Sequence, residues 1–350
     1  MLRKYLFFTI FSLYLSNFVH SQIGGSAAFA SLDLPMSARA AALGGKAMSI
    51  NDSDLNMATW NPSLLNPGMT SQLAMSYTNY ISDINYGYAA FAWDLKKLGT
   101  FGINATRITY GNFRETDNTG AEIGTFTAGE YGINAMWSHT LDSNFTFGGT
   151  AKFIQSNLYL WKANAMSFDA AILFHHPRSN FSSSLLARNV GWMMDQYTFG
   201  DHEKLPFEVE AGLAFKPAHA PFRVQCSLVN LQKWDLTYID PNNPPQLVDP
   251  LTGDSIKQSK FRNFSDKAGR HIVVGTELLI DHAVSVRFGY NYDRRKELML
   301  STRHGGSGFT FGFGVRIYHI NLSYAHAVYH LAGSTNTFTV AVRFSDFYHH

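Results

Sequence analysis

From residue 72 onward the chain alternates apolar and polar residues, and this period of two constrains it to β-structure. In 283–293, Val284, Val286, Phe288, Tyr290 and Tyr292 share one face, and Ser285, Arg287, Gly289, Asn291 and Asp293 share the other. In 309–317, Phe309, Phe311, Phe313, Val315 and Ile317 oppose Thr310, Gly312, Gly314 and Arg316. Successive strand side chains point to opposite sides, so each segment has one apolar face. Fourteen segments are predicted, near 72–80, 85–94, 99–109, 129–140, 144–156, 163–175, 181–191, 207–216, 221–230, 270–280, 283–293, 308–317, 319–328 and 335–344. Beyond the N-terminus no apolar run approaches the ~20 residues of a membrane helix. No repeat of about 40–50 residues marks propeller blades.

The connections sort by parity. Those at Lys96-Lys97, Asp142-Ser143-Asn144, Pro177–Asn180, Pro217–Ala220, Asp281-His282 and Tyr318-His319 are short. The intervening ones, Gly111–Ala128, Trp192–Pro206, Leu231–Gly269 and Arg294–Ser307, are longer. Short periplasmic turns, long outer loops and an even strand number are the habit of outer-membrane barrels. Charged residues are 15% of the chain, below the quarter usual in soluble domains, and aromatics are also 15%. Glu208, Glu210, Glu277, Arg287, Arg316 and Arg343 recur opposite the apolar stripes, where a membrane barrel has its hydrated lumen. The predicted fold is therefore an all-β membrane protein, an antiparallel outer-membrane β-barrel of about 14 strands. Cys226, the single cysteine, shares the apolar face of its segment with Phe222, Val224 and Leu228 and is expected to face lipid.

The N-terminus reads as secretory: Arg3 and Lys4, an apolar stretch over Leu6–Leu15, then Val19-His20-Ser21 before Gln22. Residues 1–21 are assigned as signal peptide, 22–70 as an N-terminal hatch and 71–350 as the barrel with long extracellular loops. A lumen of about fourteen strands is too wide for wall side chains alone to fill. The segment 23–70 lacks a period of two and is expected to plug it. Ala41, Gly44 and Gly45 would allow close packing against the wall. Asn61-Pro62 resembles a helix start, with an Asn cap and Pro at the first helical position. Asp52 or Ser53 is expected to cap a short turn through Leu55, Met57 and Ala58.

"LDLPMSARAAALGGKAMSINDSDLNMATWNPSLLNP" followed by "SYTNYISDINYGYAAFAWD" resembles the start of PorQ-like proteins of the Bacteroidota type IX secretion system. The broader pattern is similar to the FadL-like outer-membrane family, with its N-terminal hatch, Asn-Pro-Ala step and fourteen strands. Here that step reads Asn61-Pro62-Ser63. The resemblance implies a non-catalytic scaffold in the cell-surface attachment complex. Its implied partners are a PorZ-like surface protein, a PorU-like sortase and a PorV-like shuttle barrel, beside outer-membrane lipid and lipopolysaccharide. A FadL-like channel for a hydrophobic small molecule is the alternative.

Net charge is +2, which gives no footprint for nucleic acid. No catalytic set, cofactor or metal site is expected. His175-His176 and His349-His350 lack further ligands at metal spacing. Asp240–Asn243 and Asp249–Asp254 read as turn clusters rather than calcium loops. Arg294-Arg295-Lys296 fits either lipopolysaccharide phosphates or solvent. Gly148-Gly149 is a candidate wall kink. The 231–269 loop carries Trp234, Tyr238, Phe261 and Phe264, aromatic types that dominate binding hot spots, and is expected to hold the partner.

Overall fold

The computed structural model describes residues 27–176, 178–197, 203–237, 260–281, 283–298, 306–330 and 333–348. The predicted signal peptide lies outside the described residues, as do most of the 231–269 loop and the final His349-His350. Fourteen antiparallel strands form a closed barrel, each paired with its neighbours in sequence and the last with the first. They are β1 (Gln72–Asn79), β2 (Asn85–Asp94), β3 (Thr100–Thr116), β4 (Glu122–Thr140), β5 (Phe145–Leu158), β6 (Trp161–His176) and β7 (Phe181–Asp195). The second half is β8 (Glu208–Phe215), β9 (Phe222–Leu228), β10 (Ile272–Ile280), β11 (Val284–Asn291), β12 (Phe309–Ile317), β13 (Ile320–His330) and β14 (Gly333–Arg343). No described helix is long and apolar enough to cross a membrane.

The alternation sorts as the pleat requires. Phe309, Phe311 and Phe313 point out and are about half exposed, whereas Thr310, Gly312 and Gly314 point in and are buried. The outer surface is thus apolar, and the polar faces turn to the lumen. Cys226 lies on the outward face, paired across the sheet with Val274 and Leu213.

Three local expectations change. The expected loop Gly111–Ala128 is instead a long hairpin: β3 and β4 continue past a register shift between Thr109 and Asn112 and turn only at 117–121. Its outer part is held by Phe113 stacked on Phe126, Phe126 against Tyr159, and the Arg114–Glu122 ion pair. The predicted parity of loop length fails at β5–β6, joined by Tyr159 and Leu160 alone. Gly148-Gly149 makes no kink, since β5 keeps its register on both sides there. A further wall irregularity sits at β6–β7, where Arg188 and Asn189 oppose Asp169 in a bulge, Asn189 taking a positive φ of 56°.

Residues 27–71 lie inside the barrel as short pieces. Helix α1 (Ala38–Ala42) is capped by Ser37, whose side chain accepts from the Ala40 amide. Helix α2 (Leu55–Ala58) is capped by Asp54, rather than the expected Asp52 or Ser53, because the Asp54 carboxylate accepts from Asn56 N–H. Asn61 and Asn66 each cap a 3-10 turn opened by proline, Pro62–Leu64 and Pro67–Met69. The Asn-Pro steps therefore start 3-10 turns, too short to develop an α-helix. Helix α3 (Lys260–Arg270) and helix α4 (Tyr292–Leu298) pack together at the opposite rim. Helix α5 (Ser345–Tyr348) follows β14.

Candidate functional site

The N-terminal segment meets the wall through three kinds of contact. The first is apolar. Leu43, Ile50, Met57, Leu64, Leu55, Leu65 and Met69 are fully buried. They pack on lumen-facing small residues such as Ala74, Ala90, Ala92 and Ala214.

The second is backbone against glycine. A Cβ on Gly289 would fall 2.2 Å from Gly44 N, and one on Gly148 would fall 2.2 Å from Ser63 N. Gly44 and Gly45 have φ of 92° and 90°, in the region that favours glycine. Of the sequence-predicted hatch residues, Ala41 packs with Ala325 of β13, Gly44 meets β11, and Pro62 meets β5. Asn61 donates to the Met48 carbonyl at 2.6 Å.

The third kind is ionic and was absent from the sequence-level site. Arg39 donates to both Glu277 oxygens on β10, at 3.0 and 2.8 Å, and also to Asp52 and Asp54. Arg223 of β9 and Arg287 of β11 converge on the same Glu277, at 2.7 and 2.8 Å. Lys46 Nζ lies 2.7 Å from Glu208 and 3.2 Å from Glu210 on β8, and 3.2 Å from Asp33. Arg188 stacks 3.5 Å from the Trp60 ring, whose Nε1 donates to Glu210 at 2.9 Å. Glu208, Glu210 and Glu277 are at most 2% exposed, so these charges are stabilised by one another rather than by water. Burial pushes the Asp33 carboxyl up, but Lys46 and Arg188 overcome it and hold it down at about 2. Asp52 also lies below its ordinary value: Arg39 and Arg223 outweigh the opposing effect of burial. A sequence cue was present, because Arg39 and Lys46 are the only cations between Leu34 and Pro67.

Cavities lie beside the segment at two places among the described residues. One, of about 50 Å³, lies between Leu32, Leu34, Met36 and Trp60 of the segment and Asn104, Ile108, Glu130 and Ile154 of the wall. The other, of about 360 Å³, opens at the rim where β1 starts and β14 ends. At the opposite rim, Trp234 contacts Phe264 with ring centres 5.6 Å apart, and Phe261 lies one turn away on α3. These three are 54%, 59% and 78% exposed. Tyr238, their expected companion, lies outside the described residues.

The fold is that of known outer-membrane barrels. The TodX monoaromatic hydrocarbon channel deltaS2 mutant is 12% identical, with a TM-score of 0.50 over 89% of this chain and 98% of that one. The TodX deltaS2S3 mutant is 11% identical, with a TM-score of 0.51 over 87% and 97%. A Pseudomonas aeruginosa FadL homologue is 10% identical, with a TM-score of 0.48 over 88% and 98%. No family model and no curated protein matches the chain. The molecule is a closed fourteen-stranded barrel with the FadL/TodX-like fold, a fold of outer-membrane proteins. In such barrels the short turns are periplasmic. Here the predicted short turns share one rim with the start of β1 and the end of β14, and Trp234, Phe261 and Phe264 lie at the other.

Proposed function

We propose that the chain is a non-catalytic outer-membrane scaffold whose N-terminal segment acts as a plug, and whose outer rim holds a soluble surface protein. The observation that carries this reading is the Arg39–Glu277 and Lys46–Glu208–Glu210 ion network, which ties the segment to β8 and β10. The inner cavity, at about 50 Å³, is far below the roughly 300–1,000 Å³ of small-molecule sites. The resemblance of 23–95 to PorQ-like proteins supports a place in a type IX attachment complex. Its partners would then be the PorZ-like surface protein, the PorU-like sortase and the PorV-like shuttle barrel. The exposed aromatics Trp234, Phe261 and Phe264 are the residues proposed to meet the surface partner.

A second reading is a channel for a hydrophobic small molecule, and the fold comparisons favour it, since both TodX structures are described as hydrocarbon channels. The inner cavity lends it a specific observation: Ile108 and Glu130, which line it, lie beside the β3–β4 register shift where a wall opening could form. Fold alone does not transmit function.

Two measurements separate the readings. A scaffold should be nearly silent in planar bilayers, conduct once residues 37–67 are deleted, and co-purify with a surface protein from solubilised outer membranes. A channel should carry a monoaromatic hydrocarbon into proteoliposomes with the segment intact, and that result would overturn the scaffold.

A further inference from the structure

Three rows of lumen-facing residues end at the periplasmic rim in a cation. On β8 the row Glu208, Glu210, Gly212, Ala214 runs on to Lys216. On β12 Thr310, Gly312 and Gly314 lead to Arg316, and on β14 Thr335, Thr337, Thr339 and Ala341 lead to Arg343. Their inward parity turns all three toward the 360 Å³ cavity that they line. Its roof is the cluster of Arg39, Arg223 and Arg287 on Glu277, Asp52 and Asp54. The lining therefore carries six Lys and Arg against four Asp and Glu, a net +2 with His319 neutral.

The roof cations are already paired. The rim cations are not: no described carboxylate lies within ion-pair distance of Lys216, Arg316 or Arg343. Asp346, also in the lining, faces His319 at 3.8 Å. Arg343 Nε is buried without a hydrogen-bond partner, and its Nη2 reaches only the Ser53 carbonyl at 3.5 Å. A buried unpaired donor of this kind is uncommon and asks for an acceptor. A concave site with an excess of positive charge also raises the local concentration of anions.

We infer that this periplasmic vestibule binds a phosphoryl group. A carboxylate is matched by one guanidinium fork, whereas a dianionic phosphoryl group with three oxygens takes two or three cations together. Arg316 on β12 and Arg343 on β14, with one strand between them, supply two cations, whereas Lys216 lies four strands further round at the end of β8. The group can arrive on a soluble anion or as the headgroup of an inner-leaflet phospholipid. The inference stands independently of the scaffold and channel readings.

The test uses the full chain in neutral detergent, titrated calorimetrically with pyrophosphate, and in phosphatidylcholine nanodiscs with or without phosphatidylglycerol, read by native mass spectrometry. The variants are Arg316→Gln, Arg343→Gln and, at the far rim, Arg114→Gln. Binding of either probe is expected, weakening about tenfold in Arg316→Gln and Arg343→Gln, the order of one charge-assisted bond. It should be unchanged in Arg114→Gln and should fall as salt rises. Pyrophosphate alone would identify a soluble ligand, and phosphatidylglycerol alone a lipid one. Absence of binding by both probes, or equal affinity in all three variants, overturns the inference. Arg316 is exposed, so Arg316→Gln remains decisive even where Arg343→Gln fails to fold.

Discussion

Arg39 and Glu277 meet across 238 positions of sequence, the guanidinium donating to both carboxylate oxygens at 3.0 and 2.8 Å. This bidentate pair joins the N-terminal segment to β10 deep in the lumen. Two further guanidinium groups, Arg223 and Arg287, lean on the same carboxylate. Three cations share one buried acid, with Asp52 and Asp54 completing the balance.

Replacing Glu277 with Ala should therefore do more than remove one bond. It leaves Arg287 without a carboxylate partner and takes one partner each from Arg39 and Arg223, and breaking a buried pair from one side costs about 3–5 kcal/mol. The barrel strands should still pair, since the backbone ladder is untouched. The expected outcome is normal heat-modifiable gel migration with a lower melting temperature and faster proteolysis within 37–67. A variant as resistant as the parent would show that the ion cluster does not hold the segment.

Gly148 leaves room for the backbone of the N-terminal segment. With Ser63 N only 2.2 Å from where a Cβ would sit and Pro62 close beside it, Gly148→Val has no space. β5 keeps its pairing there, so the displaced partner should be the 62–64 turn. Planar bilayers should record conductance steps absent from the parent. Gly149→Val is the control, because the nearest atom to its Cβ is the Asp169 carbonyl oxygen at 3.6 Å.

The packing of the N-terminal segment should resist acid until well below pH 5. Asp33 is held at about 2 in the folded chain, against about 3.9 when unfolded. A depressed carboxylate contributes its stability above the unfolded value and loses it as pH falls toward the folded one. Asp52 shifts in the same direction. Protease sensitivity of 27–71 should thus stay flat from pH 7 to about 5 and rise between about 4 and 2. Release near pH 6 would assign control to another group.

At the outer rim, Phe261→Ser with Phe264→Ser removes two exposed rings from α3 without touching a strand. Barrel abundance should be unchanged, while the surface partner shifts to the medium in fractionation assays. Retention of the partner at parental levels would move the contact elsewhere on the rim.

Cys226 offers a check on register that is free of any functional reading. It faces outward, about half buried, between Val274 and Leu213. An apolar maleimide should label it in intact membranes and a charged one should not. Rapid labelling by the charged reagent would shift β9 by one residue and exchange its two faces.

The period-two pattern of residues such as Val284–Tyr292 is a local property; it determined strand number and the apolar faces, and with the low charge and the loop lengths it pointed to a closed membrane barrel. The cap at Asn61 was equally legible, because a cap bonds within two residues of itself. Where β3 and β4 stop was decided by contacts such as Phe113–Phe126, which act across the hairpin rather than along the chain. Whether Gly148 kinks the wall or accommodates Ser63 depended on a neighbour 85 positions away. The ion clusters lay furthest from reach. Arg39 and Lys46 are the only cations of 34–67, and Glu208 and Glu277 stand on inward faces, but no local pattern pairs them. Only barrel closure removes them from water together, and in that low-dielectric interior a charge must find its partner wherever the chain has placed it.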